Sequence, residues 1–526
     1  MQVQPTALER GCSFLSGSTD RIFTPELFDT DDQLMIQMAE QFSRKEVLPI
    51  VEQLERQEEP LMVELIRKAG QLGFCGIDAP EDYGGLGLSK NLAARILEFL
   101  SLNASFSVTV GITSGISQFG LTLFGDEEQK ALYLPKLTSG EWIGAYALSE
   151  PNSGTDALSM ACRAERRADK WVLNGTKMWI SNAKWADLFL VMAKVDGERV
   201  TAFLVERSMP GVSVSREEHK MGLKGSSTAR LELENAEIPL ENMLYEEGKG
   251  HHVAFNALNL GRFKLSSMSI GPAREAMGLA ASYAQERRQF SQPISEFGLI
   301  REKFASMASR FYAAESMIYR TGAMIDGAFA HFGGTAEDNR RAAEEFAIEC
   351  SACKVFSTEA EAFIVDQALQ TYGGYGFTEE FPIARIYRDA RVSRIYEGTN
   401  EINRVFISDR LLRRILEGRA EVHSSGESFI GDLAAVAIRK GYQNQWDQGA
   451  LSDLIILAYA EQSARKRAQQ NGALHSMLYD NFINWANIRA AEKYGQITGE
   501  SVTLPEPRPS HIEEISSAIY QKLGPL

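Results

Sequence analysis

"QTYGGYGFTEEFPIARIYRDARVSRIYEGTNEINR" runs from Gln370 to Arg404. It opens on a glycine cluster, Gly373-Gly374-x-Gly376, which leaves backbone amides open as phosphate-cradling loops require. Near its end Glu397 is set between Tyr396 and a Gly398-Thr399 pair. The cluster is not a Rossmann fingerprint, because helical pattern surrounds it and no strand precedes it. Glu397 has two readings on these residues alone. An acidic side chain near a helix start is favoured by the positive end of the dipole. The same carboxylate, where Gly398 lets the backbone turn, is a base that a reactive group can approach.

On either side of this stretch the pattern is helical. "LIREKFASMASRFYAAESMIYRTGAMIDGAF" and "HHVAFNALNLGRFKLSSMSIGPAREAMGLAASYAQERRQF" precede it, at lengths that suit a helical bundle. After it, "EGRAEVHSSGESF" reads as a linker, followed by at least three more amphipathic helices. From about Gly144 to Leu240 the texture is different. "LFLVMAKV", "VTAFLVER", "GVSVS" and "ARLELENAEI" are strand-like, and "KWVLNGTKMWI" reads as a hairpin about Asn174-Gly175. From Asp31 to about Leu134 the apolar spacing is again helical.

The expected domains are therefore an N-terminal extension (1–30), a helical domain (31–143), a β domain (144–250), a helical bundle (251–416), a linker (417–428) and an additional helical domain (429–526). The fold class is mainly α with a β insert.

At 526 residues the chain exceeds one core, and the length prior is roughly three to four domains. A net charge of −15 argues against nucleic acid and against an anionic membrane surface. It leaves room for an anionic cofactor, since local arginines can receive phosphate. Five cysteines, an odd number, suit a reducing compartment rather than a disulfide framework. Cys350 and Cys353 form a C-x-x-C inside helical pattern, with no second pair or nearby His to complete a metal site, so they read as helix packing. His251-His252 reads the same way, and no metal is expected. No apolar run reaches 18 residues, and the N-terminus has neither a signal-peptide core nor an arginine-rich transit pattern. The expected location is cytoplasmic, or the mitochondrial matrix for a eukaryotic source.

Two further segments carry candidate chemistry. "AYALSEPNSGTDA", Ala145 to Ala157, supplies the hydroxyls of Ser149, Ser153 and Thr155 and a permissive Gly154. "KMWISNA" offers Trp179 to shield one face of a flat ring and Ser181 to bond its edge. Their plain alternatives are a Gly-Ser surface turn and a buried core Trp.

Together these segments resemble the FAD-dependent acyl-CoA dehydrogenases. Glu150, Gly154, Thr155 and Asp156 match one family signature. Gln370, Gly373, Gly374, Gly376, Phe377, Glu380, Arg385 and Asp389 match a second. The likeness covers about Phe28 to Leu416 and is nearest the very-long-chain branch, through "LNLGRFKLSS", "FGLIREKFA" and "RIYEGTNEI". The helical appendage after the core also resembles that branch, but it is short and its residues do not match that branch's membrane-associating region.

The resemblance implies that Glu397 removes the pro-R α-proton of a fatty acyl-CoA while the β-hydrogen leaves as hydride to flavin N5, giving a trans-2-enoyl-CoA. Some relatives carry the base just before the arginine of "NLGR"; here that position is Gly261, which cannot serve. Thr155, Asn259, Gly261, Arg262, Tyr396 and Gly398 are implied beside the substrate. Leu148, Ser149, Gly154, Thr155, Trp179, Ile180 and Ser181 are implied along the flavin and pyrophosphate. Arg287, Gln289, Gln370, Gly373 and Gly374 are implied to reach the FAD of a neighbouring subunit, with Thr399 and Glu401 as further contacts.

A homodimer or a dimer of dimers follows from that sharing, with an electron-transfer flavoprotein as electron acceptor. The resemblance sets "GITSGISQFGLTLFG" along the wall of the acyl cavity, where medium-chain relatives carry larger polar side chains; the small Ser117 and Gly120 imply a deep channel for a long acyl chain. Two rival functions share this pattern: an acyl-CoA oxidase reoxidised by O2, and a non-catalytic assembly protein on the same fold.

Overall fold

The computed structural model describes residues 10–16, 21–332, 335–424 and 426–523. Two compact units account for them. One holds residues 34–264 and 332–344; the other holds those up to 33, 265–331 and 345 onward.

In the first unit, helix α1 (Thr30–Phe42) from Leu34 onward and helices α2 (Leu61–Gln71), α3 (Lys90–Leu100), α4 (Ala104–Ser114), α5 (Ile116–Phe124) and α6 (Glu127–Thr138) precede a sheet. Local chemistry sets their starts. Ser89 and Asn103 cap α3 and α4, and Asp126 with Gln129 forms a reciprocal capping box on α6.

The sheet has eight strands: β1 (Gly144–Ala147), β2 (Arg163–Arg167), β3 (Lys170–Ser181), β4 (Leu188–Val195), β5 (Arg199–Glu206), β6 (Val212–Val214), β7 (Thr228–Pro239) and β8 (Met243–Leu244). Their order is β6-β7-β3-β2-β4-β5-β8, with β1 pairing parallel to β4. β4 and β5 are buried along nearly their whole length, as their apolar runs require. Trp171 meets Phe203 edge-on at 5.4 Å inside this core.

Asn174-Gly175 does not turn the chain, contrary to the hairpin expectation. β3 is one strand of 12 residues, and the β2–β3 reversal falls at Ala168-Asp169, between paired Arg167 and Lys170. The Asn-Gly pair instead marks a bulge against β7, where Asn174 Oδ1 accepts the Asn235 amide at 2.8 Å. A Cβ at Gly175 would lie 2.8 Å from Cys162 Cα, so close approach of the residue just before β2, not a turn, requires the glycine.

The helix α7 (Gly250–Glu286) runs on from the sheet. Its residues from Leu265, with α8 (Gly298–Phe332), α9 (Ala347–Tyr372), α10 (Pro382–Ala390) and α11 (Asn400–Leu416), belong to the second unit. So do the appended helices α12 (Phe429–Lys440), α13 (Gln445–Gln470), α14 (Ala473–Thr498) and α15 (Ile512–Leu523). α13 shares the core of α8: Thr321 and Tyr459 hydroxyls lie 2.7 Å apart, and Arg467 pairs with Glu315 at 2.7 Å. Cys350 and Cys353 are buried on α9 and form no disulfide among the described residues.

Candidate active site

In the first unit, the loop after β1 is tied to β3 at two levels. The Met178 amide donates to the Ser149 carbonyl at 2.8 Å, and Lys177 Nζ donates to the Leu148 carbonyl and to Glu150 Oε1. Glu150 also receives the Ala161 and Cys162 amides, which ties the two ends of the loop together. Gly154 and Thr155 lie exposed on it, and a Cβ on Gly154 would meet nothing within 4 Å. Leu148 is buried beneath them.

The β3–β7 pairing breaks between Lys177 and Ile180, and Trp179 takes φ 61 there. The bulge re-aims the indole, which is 57% exposed, while Ile180 stays in the core. The buried-Trp alternative is therefore out. Ser181 is half-buried at the strand's end, and Asn182 behind it donates to the Thr109 and Gly144 carbonyls. Loop and bulge together offer an exposed aromatic face with hydroxyls and an open glycine. On α7, Asn259 Oδ1 accepts from Arg262 at 3.3 Å, both buried, and Gly261 lies buried between them.

Ser117 and Gly120 do not line a void. A Cβ on Gly120 would lie 2.5 Å from Leu190 Cδ2, and Ser117 Cβ stands where a Cβ on Gly144 would be, at 2.7 Å. Their small size lets α5 lie on β4 and β1, which corrects the deep-channel expectation at these positions.

In the second unit, Glu397 and Gly398 both have positive φ, 56 and 79. This reversal carries the chain into α11, which Thr399 caps by accepting the Ile402 amide. Asn403 donates to the carbonyls of Glu397, Gly398 and Thr399, and Lys354 donates to Gly398 at 2.8 Å and to Asn400 at 2.7 Å. A non-glycine residue held in the left-handed region by so many bonds marks a placed side chain. Tyr396 beside it is half-buried, its hydroxyl pushed well above the ordinary range by burial and by Glu361 and Glu397. Glu401 is exposed in the first turn of α11.

Gly373 and Gly374 are exposed with open space around them, and Gln370 stands exposed at the end of α9. Arg287 lies 5.5 Å from the ring of Tyr375 in the same glycine turn. Gln289 follows on an exposed two-strand ribbon whose Phe290 is 91% exposed.

Three sequence patterns match along the chain: the acyl-CoA dehydrogenase N-terminal domain over residues 29–141, the middle domain over 145–236 and the C-terminal domain over 248–412. The chain belongs to the acyl-CoA dehydrogenase family.

Within it, the chain is 45% identical over 436 residues to a probable acyl-CoA dehydrogenase of Bacillus subtilis, covering 81% of this chain and 73% of that one. It is 39% identical over 370 residues to the mitochondrial very long-chain specific enzyme of Bos taurus, covering 68% of this chain and 53% of the relative. The structure of an acyl-CoA dehydrogenase complexed with FAD from Bacillus anthracis superposes with a TM-score of 0.92 at 37% identity, covering 98% of this chain and 99% of that chain. That likeness takes in the appended helices of this acyl-CoA dehydrogenase, not only its core.

Sequence reading missed Lys177, Lys354 and Asn403, which hold the two turns in place. Lys177 carries a signal: a lysine at an inward-facing position of a strand needs a buried partner.

Proposed function

We propose that this chain dehydrogenates a long-chain fatty acyl-CoA to its trans-2-enoyl-CoA, with Glu397 as the base that takes the α-proton. Acyl-CoA dehydrogenation and FAD dependence follow from the family and from the likeness to the FAD-bound Bacillus anthracis enzyme. The residues fit that cofactor: an exposed indole at Trp179 suits a flat ring system, and the open Gly154 with Ser149, Thr155 and Ser181 suits its polar edge and a diphosphate. When bound, FAD supplies the acceptor for the β-hydride.

The observation that carries the assignment of the base is the turn at Glu397-Gly398, two successive positive φ values with three carbonyls gathered by Asn403. Such a turn fixes the Glu397 backbone, which supports its carboxylate as the base and its amide as a donor to the thioester carbonyl oxygen. Arg262 and Asn259 lie in contact on α7 and are assigned to the acyl-CoA, with Thr155, Gly261, Tyr396 and Gly398. Leu148 and Ile180 support the flavin loop and bulge.

Arg287, Gln289, Gln370, Gly373, Gly374, Thr399 and Glu401 are assigned to FAD, the first five to that of a second copy. The exposure of Phe290 beside Gln289 supports a protein surface there. The domain limits given above, the electron-transfer flavoprotein as acceptor and a cytoplasmic location belong to the same proposal. Five buried cysteines without a disulfide among the described residues suit that location. The long-chain preference rests on the motifs shared with the very-long-chain branch, not on Ser117 or Gly120.

Anaerobic titration with palmitoyl-CoA, beside Glu397→Gln, tests this. Prompt bleaching of the flavin band in the wild type and not in the variant is expected. Equal bleaching in both moves the base elsewhere. Bleaching by butyryl-CoA alone removes the long-chain preference, and peroxide release without an electron-transfer flavoprotein makes O2 the acceptor.

A further inference from the structure

α9 turns one face toward the 391–400 segment. Lys354 and Thr358 hold Gly398 and Asn400 from it, and Glu361 follows one turn on, at the i+7 position from Lys354. Glu361 is 3% exposed, and its Oε2 is fully buried without a hydrogen bond among the described residues. Two hydroxyls face it, Ser269 of α7 and Ser393. Both protons are already used: Ser269 donates to the Leu265 carbonyl at 2.9 Å and Ser393 to the Ala390 carbonyl at 2.8 Å. The carboxyl can therefore bond to either hydroxyl only as a donor, that is, in its protonated form.

The charged groups around it are Asp389 of α10, itself 3.6 Å from Arg385, and Arg394, which closes no ion pair on Glu361 among the described residues. Tyr396 also faces it. Burial dominates, and with Asp389 it pushes the Glu361 carboxyl up to about 8, against the opposing pull of Arg394.

We propose that Glu361 is a positioning residue for Glu397, a neutral carboxylic acid buried behind the Ser393–Tyr396 stretch that keeps a second negative charge away from the base. This rests on the reading of Glu397 as base. Ionisation of Glu361 places a negative charge behind the turn, where it opposes the charge that builds on the substrate as the α-proton leaves.

The test compares wild-type holoenzyme with Glu361→Gln in anaerobic flavin reduction by palmitoyl-CoA, on either side of about pH 8. The wild-type rate is expected to fall at least about threefold through that range, and the variant to lack the fall. The same alkaline fall in the variant overturns the proposal.

A second readout needs no activity. Infrared difference spectra, wild type minus variant, should show the carbonyl stretch of a neutral carboxylic acid at neutral pH that disappears on the alkaline side. Its absence at neutral pH also overturns the proposal. If the variant does not fold, the wild-type infrared titration decides. Full flavin reduction by Glu397→Gln defeats the assignment of the base, while the infrared band of Glu361 stands or falls on its own.

Discussion

Lys177 Nζ sits 2.7 Å from Glu150 Oε1, with 0% of the lysine side chain and 5% of the glutamate side chain exposed. This pair, 27 residues apart in the chain, fastens the loop carrying Gly154 and Thr155 to the strand carrying Trp179.

Lys177→Met leaves the Glu150 charge buried with only the Ala161 and Cys162 amides. The expected loss is about 3–5 kcal/mol, read by urea unfolding of the holoenzyme. Adding Glu150→Gln should restore part of it, because the unpaired charge goes. Additive losses in the double variant would show that the pair is not coupled.

Gly398 holds φ 79, which an alanine adopts at a cost of about 1–2 kcal/mol. Gly398→Ala should therefore lower stability modestly. With Glu397 as the proposed base, it should slow flavin reduction far more, by about 10²-fold, because small displacements of a reacting group are expensive. Stopped-flow reduction rates beside thermal melts check the ratio. A rate loss no larger than the stability change predicts would separate the turn from the chemistry.

Gly120→Ala pushes a methyl to 2.5 Å from Leu190 Cδ2. Overpacking of this kind costs about 1–3 kcal/mol. The acyl-chain-length profile should not move, because the glycine serves packing of α5 on β4. A shift of the profile toward shorter chains would return Gly120 to the acyl cavity.

Asp78, its side chain 1% exposed, bonds to Lys264 at 2.7 Å and Lys90 at 2.8 Å. Burial alone would raise its carboxyl, but the two ammonium groups outweigh it and hold the group down at about 2, from an ordinary 3.8. A depressed folded value means stability that is complete above the unfolded value and lost as pH falls through the folded one. About 2 kcal/mol should therefore disappear between the two values. Urea midpoints across the acid range should show a shallower pH slope in Asp78→Asn, and an unchanged slope would refute the linkage.

The strands β4, β5 and β7 were legible because each is an apolar or alternating run bounded by turn residues, and that pattern needs no partner to be read. The two signature segments were legible because their residues are neighbours in the chain: 150–156 on one loop and 370–389 from one helix end into the next helix. Asn174-Gly175 misled, since the same dipeptide serves a hairpin or a bulge, and only the approach of Cys162 and Asn235 selects the bulge. Ser117 and Gly120 misled for a similar reason. A small residue signals space, and only the neighbouring side chain says whether Leu190 or a ligand fills it.

By itself, then, the sequence determined the order of helical and β segments, the family, and the short runs assigned here to flavin and substrate, because periodicity and motif spacing are local properties. Tertiary structure alone decided that Trp179 turns outward, that Lys177 meets Glu150, that Lys354 and Asn403 hold the Glu397 turn, and that Glu361 lies buried against Ser269. Each of these depends on which distant backbone a folded core brings alongside, and burial, not local sequence, sets the charge and direction of the groups that meet there.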